Sequence, residues 1–240
     1  MTTTSASAGS GSADRPDDAP FFPAPRLPQL SDAATAAVLV GPVIRSLAEI
    51  VDVAGPDLAR PTPCTRYTVG ELRDHVLGWL QFFAAAFADP AATTVRPDPQ
   101  AYRADQPTRG AGTDPAAPAY RDVVLNCATT LDRALAGGVL EQRVRMSQSW
   151  MDAPAALGMV LGEYLVHGWD LARAQDLPWR PSDRACAVAR EFLEGMVRPE
   201  YRGGDGGFFD QEVPVAAGAS ELDRLIGFAG RDPGWTVRSH

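Results

Sequence analysis

Residues 152–178 constrain the fold more than any other stretch. Asp152 precedes a run with Pro154 in its first turn, where a missing N–H costs little. Leu157, Val160, Leu161, Tyr164, Gly168, Leu171 and Ala172 then recur at helical spacing, and Pro178 and Pro181 close the run. A long helix with so continuous an apolar stripe has to be covered by other elements. The chain offers several more helices of the same kind.

The second of them has the clearest start. Thr68 and Glu71 form a capping box, and Leu72, Val76, Trp79, Leu80, Phe83 and Phe87 follow as a core-facing stripe up to Pro90. An earlier helix is expected after Ser31, running to about Val53, with Pro42 kinking or breaking it. A third spans about 116–136 and ends at Gly137-Gly138. A fifth covers about 182–196, and a last short one, "SELDRLIGFAG", has Ser220 as its cap. Residues 139–151 are ambiguous, because "RVRMSQSW" alternates like a short strand that would need a partner. Residues 89–114, rich in Pro, Asp and Gly, read as a long loop.

Four long helices with apolar faces predict an all-α four-helix bundle with a short helical C-terminal extension from about residue 177. Residues 1–27 have the Ser, Thr, Ala, Gly and Pro content of a disordered tail. Residues 28–240 are expected to form one domain, well within the size that buries a sizeable core.

Composition excludes several functions. The net charge of −8 argues against nucleic-acid binding and against docking on an anionic membrane. No apolar run approaches a bilayer span, and the N-terminus lacks the pattern of a signal peptide. All 22 basic residues are Arg, which removes Schiff-base lysines and Walker-type lysines from consideration. Cys64, Cys127 and Cys186 are odd in number and widely spaced, which fits a reducing cytoplasm. Cys64 has no His near it in sequence and reads as a buried structural thiol. "GGDGGFFD" opens no helix after a strand and reads as a flexible loop, a poor phosphate cradle.

The chemistry lies on helix shoulders. Glu163 and His167 are four apart, so they neighbour each other on one helix surface. His167 lies roughly 80° from the centre of its apolar stripe, and His75 roughly 90° from that of the second helix. Two imidazoles and a carboxylate suit a catalytic divalent ion, zinc first, with nickel or iron as alternatives. A hydrogen-bonded surface pair is the plainer reading of Glu163 and His167. Asp170 reads equally well as a partner orienting a ligand or as a solvated residue near the helix end.

Three segments, "RPTPCTRYTVGELRDHVLGW", "YLVHGWDLARA" and "DRLIGFAGRDPGW", carry a resemblance across about residues 30–236. They resemble the DinB/YfiT-like metalloenzyme family of actinobacteria. The branch is the one similar to the N-terminal domain of mycothiol-dependent maleylpyruvate isomerase. The resemblance implies a four-helix bundle with one divalent metal at one end, held by His75, Glu163 and His167. Where the family usually has Trp after "PTPC", this chain has Tyr67, a change expected to touch the approach to the helix and leave the ligands alone. The last sixty or so residues resemble the shorter tail common to this branch and not the separate C-terminal domain of the isomerase.

The implied function is metal-dependent use of a low-molecular-weight thiol, mycothiol, for S-transfer to or isomerisation of an electrophilic small molecule. Arg173 and Arg231 are candidates for holding a carboxylate. A hydrolase with metal-activated water and a non-catalytic metal- or small-molecule-binding protein are the alternatives. The partners implied are the thiol and the small molecule. A homodimer is allowed, although no pairing face is identifiable.

Overall fold

The computed structural model describes residues 32–51, 57–102, 119–203 and 209–237. The N-terminal tail, the second half of the 89–114 loop, most of "GGDGGFFD" and His240 lie outside them.

The chain is mainly α-helical. In order it forms α1 (Ala33–Leu47), α2 (Val69–Ala88), α3 (Tyr120–Ala136), a hairpin of β1 (Arg143–Met146) and β2 (Ser149–Asp152), α4 (Ala153–Ala174), α5 (Asp183–Met196) and α6 (Glu221–Phe228). α1 packs on α3 and α4, and α2 packs on the same two, so α1 and α2 occupy opposite corners of a four-helix bundle. α5 covers α4 from outside and α6 covers α5. Among the described residues no helix is long and apolar enough to cross a membrane.

Sequence signals account for the helix ends. Thr68 accepts from Glu71 N while the Glu71 carboxylate accepts from Thr68 N, the reciprocal box expected for α2. Ser182 and Ser220 cap α5 and α6. α1 differs from expectation. Asp32 is its cap, the helix runs unbroken through Pro42, and it stops at Leu47 in a run of turns. The ambiguous stretch before α4 finds its strand partner within itself: Arg145 pairs with Trp150 across a turn in which Ser147 takes a positive φ of 52°.

α4 is the axis of the molecule. From Ala155 to Ala172 every residue is buried except Glu163. A helix apolar all round belongs in a core, and here α1, α2, α5 and the hairpin surround it. Glycines set the closest approaches. A Cβ on Gly158 would lie 2.6 Å from the Phe192 ring of α5, and one on Gly168 2.3 Å from Trp179. The described part of the loop after α2 is seated in the same way, with Pro99 O only 2.4 Å from where a Cβ on Gly78 would be.

Candidate metal centre

Four pieces of chain deliver the site. α2 carries His75, and α4 carries Glu163, His167 and Asp170. The turn before α2 is stapled by Thr62, whose buried hydroxyl lies 2.9 Å from both Cys64 O and Tyr67 O. This staple places Cys64 and Tyr67 against the bundle. The fourth piece is the C-terminal end of α6. Gly230 turns there with φ 83°, Gly230 N donates to Gly227 O and Arg231 N to Ile226 O. That is a Schellman cap. A Cβ on Gly230 would also collide with Asp210 O at 2.7 Å, so glycine is required twice over. The cap turns Arg231 inward, where it is buried.

His75, Glu163 and His167 converge. His75 Nε2 lies 2.8 Å from Glu163 Oε1, and His167 Nε2 lies 3.7 Å from the same oxygen. One ligand atom from each residue lies within 4.8 Å of the others, close enough to share one ion. The far nitrogens are occupied. His167 Nδ1 is 2.9 Å from Asp170 Oδ2, and His75 Nδ1 is 3.3 Å from the Tyr67 hydroxyl. An imidazole whose Nδ1–H donates to an oxygen keeps its Nε2 lone pair for a ligand. Both Nε2 atoms face Glu163, so the donor set fits a divalent cation.

Electrostatics fix the charge of Glu163. Burial alone would raise the Glu163 carboxyl, but His167, His75 and Arg231 together pull it down to about 2. The carboxyl is therefore held ionised, the form in which it can ligate a cation.

Asp170 is fully buried, which removes the solvated reading. Its Oδ2 meets both His167 Nδ1 and, at 3.3 Å, Arg231 NH2. Arg231 NH1 also donates to Ala229 O at 2.7 Å. A second group of possible ligands, Cys64, His167 and Asp170, overlaps the first. It suits an ion less well, because Arg231 already answers the Asp170 charge and burial pushes the Cys64 thiol up.

Two expectations change. Tyr67 does touch a site residue, through its hydroxyl on His75 Nδ1 and a ring centroid 4.9 Å from the imidazole. The turn before α2 brings it there, and residue spacing does not reveal that turn. Cys64 is buried as expected, but the fold sets it beside His167 despite the long separation in sequence. Arg173 stands apart from this group. It lies over the Trp169 ring, donates to Pro233 O and lines a different surface groove with Asp176 and Asp232.

The three converging residues open onto a cavity of about 170 Å³. Trp79 and Phe83 of α2, Met159 and Val166 of α4, and Leu193 and Met196 of α5 form its apolar wall. Arg66 is exposed at its rim. Trp79, half-buried, belongs to this wall as much as to the core.

Comparison with known families decides the relationship. The Mycothiol maleylpyruvate isomerase N-terminal domain family matches residues 40–172, more than half of the chain, and the match includes α2 and α4 with their converging side chains. The chain belongs to that family. An uncharacterized protein of Mycobacterium tuberculosis, found in two strains, is 25% identical over 186 residues, which span 76% of this chain and 89% of the relative. No solved structure matches. Within this member of the family, Leu193 and Met196 of α5, Phe209 and Arg231 lie beyond the matched segment, yet they line the cavity.

Proposed function

We propose that the protein is a divalent-metal-dependent enzyme that uses a low-molecular-weight thiol, mycothiol, on an electrophilic small molecule, by S-transfer or isomerisation. His75, Glu163 and His167 would hold the ion, zinc first by the chemistry of the donors, with nickel or iron as alternatives. The observation that carries this reading is that both imidazoles have Nδ1 engaged, by Tyr67 and Asp170, while both Nε2 atoms face Glu163. Membership of a family described by a mycothiol-dependent isomerase supports the choice of thiol.

A bound divalent ion would supply the positive charge that keeps a thiol ionised at neutral pH. The chain's own residues do the rest. Asp170 and Tyr67 orient the two imidazoles. Arg231 balances the buried Asp170 charge, so that the carboxylate can face His167 without a second cation. The apolar wall keeps water from the reacting groups. Three unpaired, buried cysteines are compatible with work in a reducing cytoplasm.

Elemental analysis of the purified chain should find about one divalent ion per molecule, and much less in a His75→Ala, His167→Ala double variant. Consumption of mycothiol with an electrophile, lost in His167→Ala, supports thiol transfer. Turnover without thiol would replace this reading by a metal-dependent hydrolase. Metal without any turnover would leave a binding protein. A chain that never retains metal would end the proposal.

A further inference from the structure

The cavity is asymmetric, and the asymmetry bears on what enters it. One end carries Glu163 and the two imidazoles. Trp79, Phe83, Met159, Val166, Leu193 and Met196 form an apolar wall beside them, with no charged group among the six. Two cations line the cavity among the described residues. Arg66 is exposed at the rim. Arg231 is buried, with NH2 on Asp170 and NH1 on Ala229 O, and its Nε is buried without a hydrogen-bond partner. The apolar wall itself therefore has nothing to answer a carboxylate, whose burial without a partner is costly. The whole cavity, its Glu163 end included, has a volume of about 170 Å³, near the ~150 Å³ of apolar protein cavities that take up benzene.

The wall owes its position to α4. Gly158 lets the Phe192 ring approach, and a Cβ on Gly162 would lie 3.4 Å from Leu193, so α5 is drawn in until Leu193 and Met196 close the cavity. α5 lies outside the segment that matches the family, so Leu193 and Met196 belong to the part of the chain beyond that match, while Trp79, Phe83, Met159 and Val166 lie within it.

We infer that the electrophile carries an uncharged, ring-sized apolar group that seats against this apolar wall of α2, α4 and α5, with its reactive centre toward Glu163 and the imidazoles. The inference rests on the thiol-acceptor reading above and narrows its substrate class. Leu193, Met196 and Met159 are then specificity residues that touch the ring.

Calorimetric titration of the full-length chain, metal-free and zinc-loaded, with N-phenylsuccinimide and N-methylsuccinimide tests it. These unreactive probes differ only in the ring. The phenyl probe should bind at least about tenfold tighter, as burial of a ring's apolar surface predicts. Leu193→Trp and Met159→Trp, which fill the cavity, should erase that preference; either one that keeps the wild-type unfolding temperature suffices. Leu193→Ala should extend the preference to an N-naphthyl probe. Equal binding of phenyl and methyl probes by a zinc-loaded chain overturns this inference and leaves the metal reading standing. So does a phenyl preference that survives both filling variants. A phenyl preference in a chain that binds no zinc overturns the metal reading, and with it the assignment of the ring to a thiol acceptor.

Discussion

Asp170 Oδ2 lies 2.9 Å from His167 Nδ1 and 3.3 Å from Arg231 NH2, and the carboxylate is wholly buried. Asp170 thus ties a proposed metal ligand, His167, to Arg231, 61 positions beyond Asp170 in the chain. A buried charge of this kind is tolerated only when paired, and removing one partner strands the other.

Asp170→Ala should accordingly lower stability by about 3–5 kcal/mol, because Arg231 is left as an uncompensated buried cation. Asp170→Asn keeps the shape, and its amide oxygen can still accept from His167. Urea unfolding separates the two variants. Zinc affinity, measured by chelator competition, should fall by about 10–100-fold in either. Unchanged affinity in both would remove Asp170 from the positioning of His167.

Tyr67→Phe removes only the hydroxyl that meets His75 Nδ1. The group is partly exposed, so stability should drop by no more than about 1 kcal/mol. Zinc affinity should fall by about tenfold or more, since the imidazole loses the partner that fixes its tautomer. Equal affinity of Tyr67→Phe and wild type would show that the contact is incidental.

The helices were readable because their signals are local. The Thr68–Glu71 box, Ser182, Ser220 and the stripe of α4 each act within a few residues, and each appears where the spacing places it. The convergence of His75 with Glu163 and His167 was half legible. Shoulder positions mark polar residues at the edge of a buried face, but only the packing of α2 on α4 makes those edges meet. Tyr67, Cys64 and the α5 wall were not legible as parts of the site. Tyr67 and Cys64 depend on the Thr62-stapled turn, and Leu193 depends on the approach that Gly158 and Gly162 allow. The hairpin was missed as a pair because Ser147 supplies the left-handed turn residue, where glycine or asparagine is the usual signal.

Acid should loosen the start of the loop after α2. Asp89 accepts from Thr94 N at 2.8 Å and from the Thr93 and Thr94 hydroxyls at 3.0 and 2.9 Å. Those donors hold its carboxyl at about 2, below the ordinary 3.8. A depressed folded-state pKa contributes stability above the unfolded value and loses it as pH falls through the folded one. The window is therefore about pH 4 down to 2. Asp89→Asn should flatten the acid limb of the urea midpoint across that window. An acid limb identical to wild type would show that other carboxylates set it.

Gly158 and Gly162 face α5 one turn apart but leave different room. A Cβ on Gly158 would lie 2.6–2.8 Å from three atoms of the Phe192 ring, a rigid group on a buried face. A Cβ on Gly162 would lie 3.4 Å from Leu193, at the edge of ordinary contact. Gly158→Ala must push α5 outward or turn the ring, and overpacking of this kind costs about 1–3 kcal/mol. Gly162→Ala meets no such clash and gains up to about 1 kcal/mol of helix propensity. The two substitutions are chemically identical and four residues apart, so their difference isolates the helix approach from intrinsic propensity. Parallel urea unfolding should place Gly158→Ala below wild type and Gly162→Ala at or above it. If both variants shifted equally, the approach of α5 would not be set at Gly158, and the position of the cavity wall would need another cause.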